Sequence, residues 1–381
     1  MILEAFLNGY MGIGCDMHPL AAKITKAKID ILTINQHECK KGISKLIERL
    51  EHVPTTFSQS AECFTEETID EIFRWFPKPV VYKLNWLLSQ VRAIKTPAIR
   101  EFLEVMLSSI IRDVSQQDPR DLRIRRRAIP LEDAPVIEQF TQRTLEQFKL
   151  LEAFWRVSKY QPMPSINPRI ALGDCRKPET LRDLGLEEKT IDLIITSPPY
   201  ATALPYIDTD RLSLLVILGM TSKERGPLEE QLTGSREISK REKQTVEKLL
   251  NDAKETIGLS SSLLELVRNI YNRNQQTASG FRKQNLPALL FRYFQDMKLA
   301  FDNMAYVLKP GASSFVVVGD SKTTAGEDII PIPTGALLTE VASLCGLQCV
   351  EQIPISVTTE NMAHIRNAIV ENVVLHFVRE S

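Results

Sequence analysis

The sequence predicts an α/β protein with large helical insertions, and three stretches carry that reading. Ile191-Asp-Leu-Ile-Ile195 is a short apolar run with Asp192 alone polar, the pattern of a buried strand in a parallel sheet. Near the end, an amphipathic run from Tyr293 to Leu308 meets Lys309-Pro-Gly311 and then the apolar Ser314–Val318, a helix, a stop and a strand. At the start, Gly12–Asp16 reads as a strand, and Pro19 suits the first turn of a helix from Leu20 to about Asp30.

Taken in order, residues 2–11 predict the end of an amphipathic helix closed near Gly9. Residues 36–159 carry helical spacing and no strand pattern. Leu84, Leu87, Leu88, Val91 and Ile94 form one stripe, and Leu103, Met106, Leu107, Ile110, Ile111 and Val114 form another. A third helical run spans Ile137–Val157. Residues 160–168 read as a linker, Arg169–Asp174 as a strand, and Pro178–Glu188 as a helical segment. Residues 221–285 are polar and charged, with a helical run at Lys240–Leu250, and predict a second insertion. Thr334–Cys345 reads as a helix, and 348–355 with 372–378 as a terminal couple of strands.

With 381 residues, 43% of them apolar, the chain can bury more than one core. Lys+Arg of 47 against Asp+Glu of 48 excludes a globally basic protein, so any nucleic-acid contact requires a local patch. Arg120-Asp-Leu-Arg-Ile-Arg-Arg-Arg127 supplies one, with Arg120, Arg123, Arg125, Arg126 and Arg127 within eight residues. Such a run is either a solvated face or a phosphate-contacting loop, since guanidinium groups fit phosphate geometry. The six cysteines lack paired metal-ligand spacing, and no metal site is expected; free buried thiols in a reducing cytoplasm are. No apolar run approaches the roughly 18 residues of a membrane span, and no signal peptide opens the chain, so a cytoplasmic location is expected.

The chemistry concentrates where the 191–195 strand stops, at Ser197-Pro198-Pro199-Tyr200. Two prolines lack N–H donors, so the strand cannot continue, and their fixed φ holds the Ser197 hydroxyl, the Pro198 carbonyl and the Tyr200 ring in defined positions. The carboxyl end of a sheet strand is where open α/β folds place their sites. By itself the tetrapeptide is equally a proline-rich turn. Asp16 at the end of the first strand suits either a helix N-cap or a ribose acceptor, and Asp174 either a turn or a ligand contact.

These residues together resemble the S-adenosylmethionine-dependent amino-methyltransferases, which methylate exocyclic amines of bases, usually in DNA. The Ser-Pro-Pro-Tyr loop is similar to that family's catalytic motif, and Gly14-Cys-Asp16-Met-His-Pro19-Leu-Ala21 to its segment after the cofactor loop. The resemblance implies a Rossmann-like methyltransferase sheet over residues 1–35 and 160–381, with 36–159 a helical, nucleic-acid-binding insertion and 221–285 a charged one. It implies S-adenosylmethionine as cofactor, with Asp16 holding its ribose, Asp174 near its adenine and Thr196 against it. Ser197 and Pro198 would accept the N–H groups of a flipped base on which Tyr200 stacks. Tyr206 would face the base pocket, and Asp210 with Arg211 would order the loop after the motif. The Ser form is the more typical of N4-cytosine enzymes, which are therefore favoured over N6-adenine enzymes. DNA is the expected partner, with RNA methylation, or a truncated non-catalytic binding protein, as alternatives. A cognate restriction endonuclease is a further expected partner.

The family's glycine-rich cofactor loop, and the central strand before it, have no counterpart within the sequence. The expectation is a fragment, a displaced start, or a strand supplied by another polypeptide, because a missing central strand leaves its two neighbours with unpaired backbone groups.

Overall fold

The structure is a computed structural model and describes residues 1–121, 124–158, 167–201, 206–251, 258–276, 280–356 and 371–381. Arg123 and most of the expected 160–168 linker lie outside the described residues. In chain order the elements are α1 (Ile2–Leu7), β1 (Ile13–Asp16), α2 (Pro19–Thr33), α3 (Gln36–Glu51), α4 (Glu66–Trp75), α5 (Lys78–Arg92), α6 (Pro97–Ile110), α7 (Val136–Ser158) and β2 (Arg169–Leu172). There follow α8 (Pro178–Asp183), β3 (Ile191–Thr196), α9 (Tyr206–Thr209), α10 (Arg211–Leu218), α11 (Ser222–Gln231), α12 (Lys240–Asn251), α13 (Ser261–Gln275) and α14 (Phe281–Val307). The chain closes with β4 (Leu308–Gly319), β5 (Ser321–Ala325), β6 (Asp328–Ile332), α15 (Thr334–Ser343), β7 (Leu347–Ser356) and β8 (Glu371–Arg379). The fold is mixed α/β, and the chain divides into two compact units, Met1–Gly173 with Tyr206–Leu228, and Asp174–Pro205 with Glu229–Ser381.

The first unit is mainly helical. The two stripes in the sequence become the buried faces of α5 and α6, where Leu84, Leu87, Leu88, Val91, Leu103 and Leu107 are at most 1% exposed. They share one core with Phe140 and Trp155 of α7 and Leu212, Leu215 and Val216 of α10. Each such side chain contributes about 1.5–3 kcal/mol on burial. Starts are marked by Pro97 in the first turn of α6 and by Asn35, whose side chain accepts from the N–H groups of His37 and Glu38 at α3. β1 pairs in parallel with β2, Asp16 opposite Leu172. A Cβ on Gly14 of β1 would stand 2.9 Å from Cδ1 of Ile2, the tip of a side chain that α1 lays against this strand.

The second unit is built on a four-stranded sheet of order β3-β4-β8-β7. β3 and β4 are parallel, while β8 runs antiparallel to both β4 and β7. The helix–stop–strand reading of 293–318 holds in outline. The β3–β4 ladder jumps from Ile191 opposite Leu308 to Leu193 opposite Ser313, so the four residues around Gly311 (φ +74°) loop out between helix and ladder. The helix itself starts twelve residues earlier than expected, at Phe281, with Pro287 inside it. Proline there deprives the Lys283 carbonyl of its i+4 donor. The buried Asn274 of α13 replaces it, its amide donating to the Lys283 carbonyl oxygen at 2.7 Å. Neither α13 nor the β5–β6 hairpin is legible in the polar composition of those segments.

The expectation that residues 191–195 form a buried strand is corrected. Among the described residues β3 pairs only with β4 and is therefore an edge strand, leaving Leu193 49% and Ile195 46% exposed. The cysteines correct a second expectation. None of the six forms a disulfide, yet Cys39 is the one that is fully buried and Cys175 is exposed. No helix among the described residues is long and apolar enough to cross a membrane.

Candidate functional site

Thr196 is the last residue of β3, and the Ser-Pro-Pro-Tyr loop leaves the sheet at that strand's carboxyl end. Parallel pairing brings Thr196 level with Val316 of β4. The Ser197 hydroxyl lies 3.4 Å from the carbonyl of Val317, one residue further along that strand. At this length the bond is weak, and the hydroxyl oxygen keeps its acceptor capacity. Pro198, Pro199 and Tyr200 are half-buried. The Tyr200 hydroxyl donates to Asn372 Oδ1 of β8 at 3.1 Å, which fixes the direction of its ring. Asn372 stands 172 residues away, and no local signal in the sequence points to it.

Asp16 lies in the first unit, exposed at the end of β1. It is not the N-cap of α2. That place is held by His18, whose Nδ1 accepts the N–H of Ala21 at 3.4 Å. Asp16 Oδ1 instead accepts the backbone N–H of His18 at 2.7 Å, which orients the carboxylate at the turn. An exposed, oriented carboxylate at a strand end is the acceptor a vicinal diol requires, so the residue fits a cofactor ribose. His18 is itself buried, with Nε2 3.5 Å from Asp210 Oδ2. Burial pushes the Asp210 carboxyl up, against the opposing pull of His18 and Arg112.

Asp174, in the second unit, is 7% exposed and its carboxylate is already engaged. Oδ1 accepts from the backbone N–H of Arg176 at 3.0 Å and from Arg176 Nε at 2.8 Å, and Oδ2 accepts from Nη2 at 2.9 Å. Burial would raise its pKa, but these bonds outweigh it and hold the carboxyl below its ordinary value. Arg176 also reaches Asp296 at 2.7 Å, where burial prevails and the carboxyl is pushed up. Oδ1 thus has both of its acceptor sites filled, and Oδ2, with Lys177 Nζ 3.8 Å away, retains capacity for one further donor such as an adenine amino group.

The arginine run divides. Arg126 donates to the carbonyl of Arg74 at 2.7 Å and lies over the Trp75 ring, 4.7 Å from its centroid. Arg211 covers the same ring at 4.0 Å. Arg127 donates to the carbonyls of Ser115 and Asp113, at 2.8 and 2.6 Å. Arg120 and Arg125 pair with Asp118 and Asp121 and expose 89% and 66% of their side chains. Tyr206, at the start of α9 in the first unit, is 41% exposed. Burial pushes the thiols of Cys39 and Cys345 up to about 12, so neither of these two is an activated nucleophile.

No family model matches the chain, and no curated protein matches it. Among solved structures it is similar to that of a "putative DNA modification methylase" from Thermus thermophilus, at 14% identity and a TM-score of 0.26 over 55% of this chain and 52% of that one. It is also similar to the same protein "complexed with S-adenosyl-L-methionine", at 16% identity and a TM-score of 0.21 over 24% of this chain and 39% of that one. The chain thus spans about half of that protein's length, or less.

Proposed function

We propose that the protein is an amino-methyltransferase acting on a base of DNA, with S-adenosylmethionine as methyl donor and cytosine N4 as the favoured acceptor. The observation that carries this reading is the rigid Ser197-Pro198-Pro199-Tyr200 loop at the carboxyl end of β3, with Tyr200 braced by Asn372. The cofactor, when bound, supplies a methyl group activated by a positive sulfonium. Asp16 would accept the ribose hydroxyls. The acceptor amine is weakly nucleophilic because its lone pair is delocalised into the ring. The Ser197 hydroxyl and the Pro198 carbonyl accept its N–H groups and favour the pyramidal geometry that attacks in line. Tyr200 stacks on the extruded base, held in place by its bond to Asn372. No cysteine nucleophile is required. Residues 36–159 would act as the nucleic-acid-binding insertion and 221–285 as the charged one, with Arg120 and Arg125 exposed for phosphate.

The test is transfer of a labelled methyl group to unmodified DNA and RNA, with the product nucleosides identified. N4-methylcytosine supports the reading in full. N6-methyladenine overturns the choice of base, methylated RNA overturns the substrate, and no transfer with intact nucleic-acid binding favours a non-catalytic protein. Tyr200→Ala is expected to lower transfer about 10- to 100-fold through lost stacking, while cofactor affinity stays within about twofold.

A further inference from the structure

In the first unit, Arg126 and Arg127 donate to backbone carbonyls, Arg112 donates to the carbonyl of Thr209, and Arg225 pairs with Glu71. Arg211 is different. It opens α10 and is half-buried, and its Nε is closed off from solvent with no hydrogen-bond partner among the described residues. Burial pulls its pKa below the ordinary arginine value; Asp208 and Glu71 oppose this through space, and Arg225 and Arg126 reinforce it. Among the described residues neither acid closes a pair with Arg211, and Glu71 is already bound to Arg225. Asp210, the neighbour expected to order this stretch with it, faces His18 instead. A guanidinium carries five N–H donors, and leaving them unmet in a half-buried place is unfavourable.

The ring beneath it shows how the group is held. Arg211 and Arg126 both lie over Trp75, 4.0 and 4.7 Å from its centroid. Stacking on indole fixes the plane of a guanidinium and leaves its N–H edge for bonds within that plane. Trp75 itself is 9% exposed, so it is a platform for the cations and not for a stacked base. Arg126 is fixed by its bond to the Arg74 carbonyl and adds positive charge beside Arg211. The loop that brings it there also carries Arg125 and Arg120, which expose 66% and 89% of their side chains.

We propose that Arg211, seated on Trp75 beside Arg126, receives a backbone phosphodiester of a nucleic-acid strand. The acceptor that the fold does not provide then comes from the ligand, whose paired oxygens match the fork of N–H donors. A strand is favoured over a lone phosphate because the cations continue along the loop of Arg125 and Arg120, as successive phosphates require. The inference rests on the reading of the partner as a nucleic acid and needs no methyl transfer.

The test is binding of a short duplex DNA to the full chain without cofactor, followed by tryptophan emission and by the salt dependence of affinity. Arg211→Met keeps an apolar stem on Trp75 and removes the charge. It should weaken binding about tenfold and make the slope of log affinity against log salt shallower by about 1, while the melting temperature holds or rises. Trp75→Phe keeps an aromatic face and should still bind, with the emission change gone. A lower melting temperature in Arg211→Met would mean that the guanidinium is bound within the fold. Unchanged affinity and slope in that variant, or an emission change that survives in Trp75→Phe, would place the strand elsewhere. Inorganic phosphate binding as tightly as the duplex would make the ligand a free anion. Each of these overturns the proposal, as does a wild-type chain that binds no duplex. Labelled-methyl transfer judges the enzymatic reading separately: transfer by the wild type, with affinity unchanged in Arg211→Met, removes this site and leaves that reading standing.

Discussion

Asp16 and Asp174 look alike in the sequence: each ends a short strand, each follows a glycine closely, and each precedes a proline-initiated helix. In the structure they have opposite states. Asp16 is exposed and makes one backbone bond that orients it. Asp174 is buried, and both of its oxygens are claimed by Arg176. A strand-ending acid is thus left available for a ligand or spent on the fold according to what the rest of the chain brings beside it. The same distinction separates Arg120 and Arg125, exposed at a loop, from Arg126 and Arg127, spent on backbone carbonyls.

Arg176→Ala should have the largest effect on this contrast. It strands Asp174 and Asp296 as buried carboxylates, and chemical denaturation should report a loss of about 3–5 kcal/mol. A loss under about 1 kcal/mol would mean that Asp174 is not spent on the fold after all. Asp16→Ala should do the reverse: stability falls by no more than about 1 kcal/mol, whereas S-adenosylmethionine affinity by calorimetry drops by about 1.5–3 kcal/mol, the worth of a hydrogen bond to a charged group. Equal losses of stability and affinity would reduce Asp16 to a turn residue.

The acids also separate by pH. Because the Asp174 carboxyl is held below its ordinary value, its contribution is present above the unfolded pKa near 4 and is lost as pH falls through the lower folded value. Asp174→Asn should flatten the decline of stability below about pH 4. Asp296, pushed up, acts with the opposite sign and loses the folded state stability as pH rises through its window. The smallest effect concerns the arginines. Arg120→Ala with Arg125→Ala should make the slope of log affinity for DNA against log salt shallower by about 2, with melting unchanged. If the slope holds, the run is a solvated face.

Much of this protein was legible because the signal was local. Stripes at three-to-four spacing located α5 and α6, and paired prolines after an apolar run located the end of β3. α14 begins upstream of the expected Tyr293 and runs through Pro287, a local helix breaker whose compensating donor, Asn274, is on another helix and so has no local signal. β3 read as buried for a similar reason: its composition suits an inner strand, and only the register of the whole sheet shows that it stands at the edge.

Periodicity and proline chemistry act within a few residues. The α/β class, the helical nature of residues 36–159 and the position of the one rigid polar and aromatic loop therefore follow from the chain alone. Which charged groups are available and which are spent is a matter of tertiary structure. It alone brought Asn372 to Tyr200, Arg176 to Asp296 and both Arg126 and Arg211 to the Trp75 ring. Burial and ion pairing are properties of neighbours, and these neighbours are set by how the chain returns on itself.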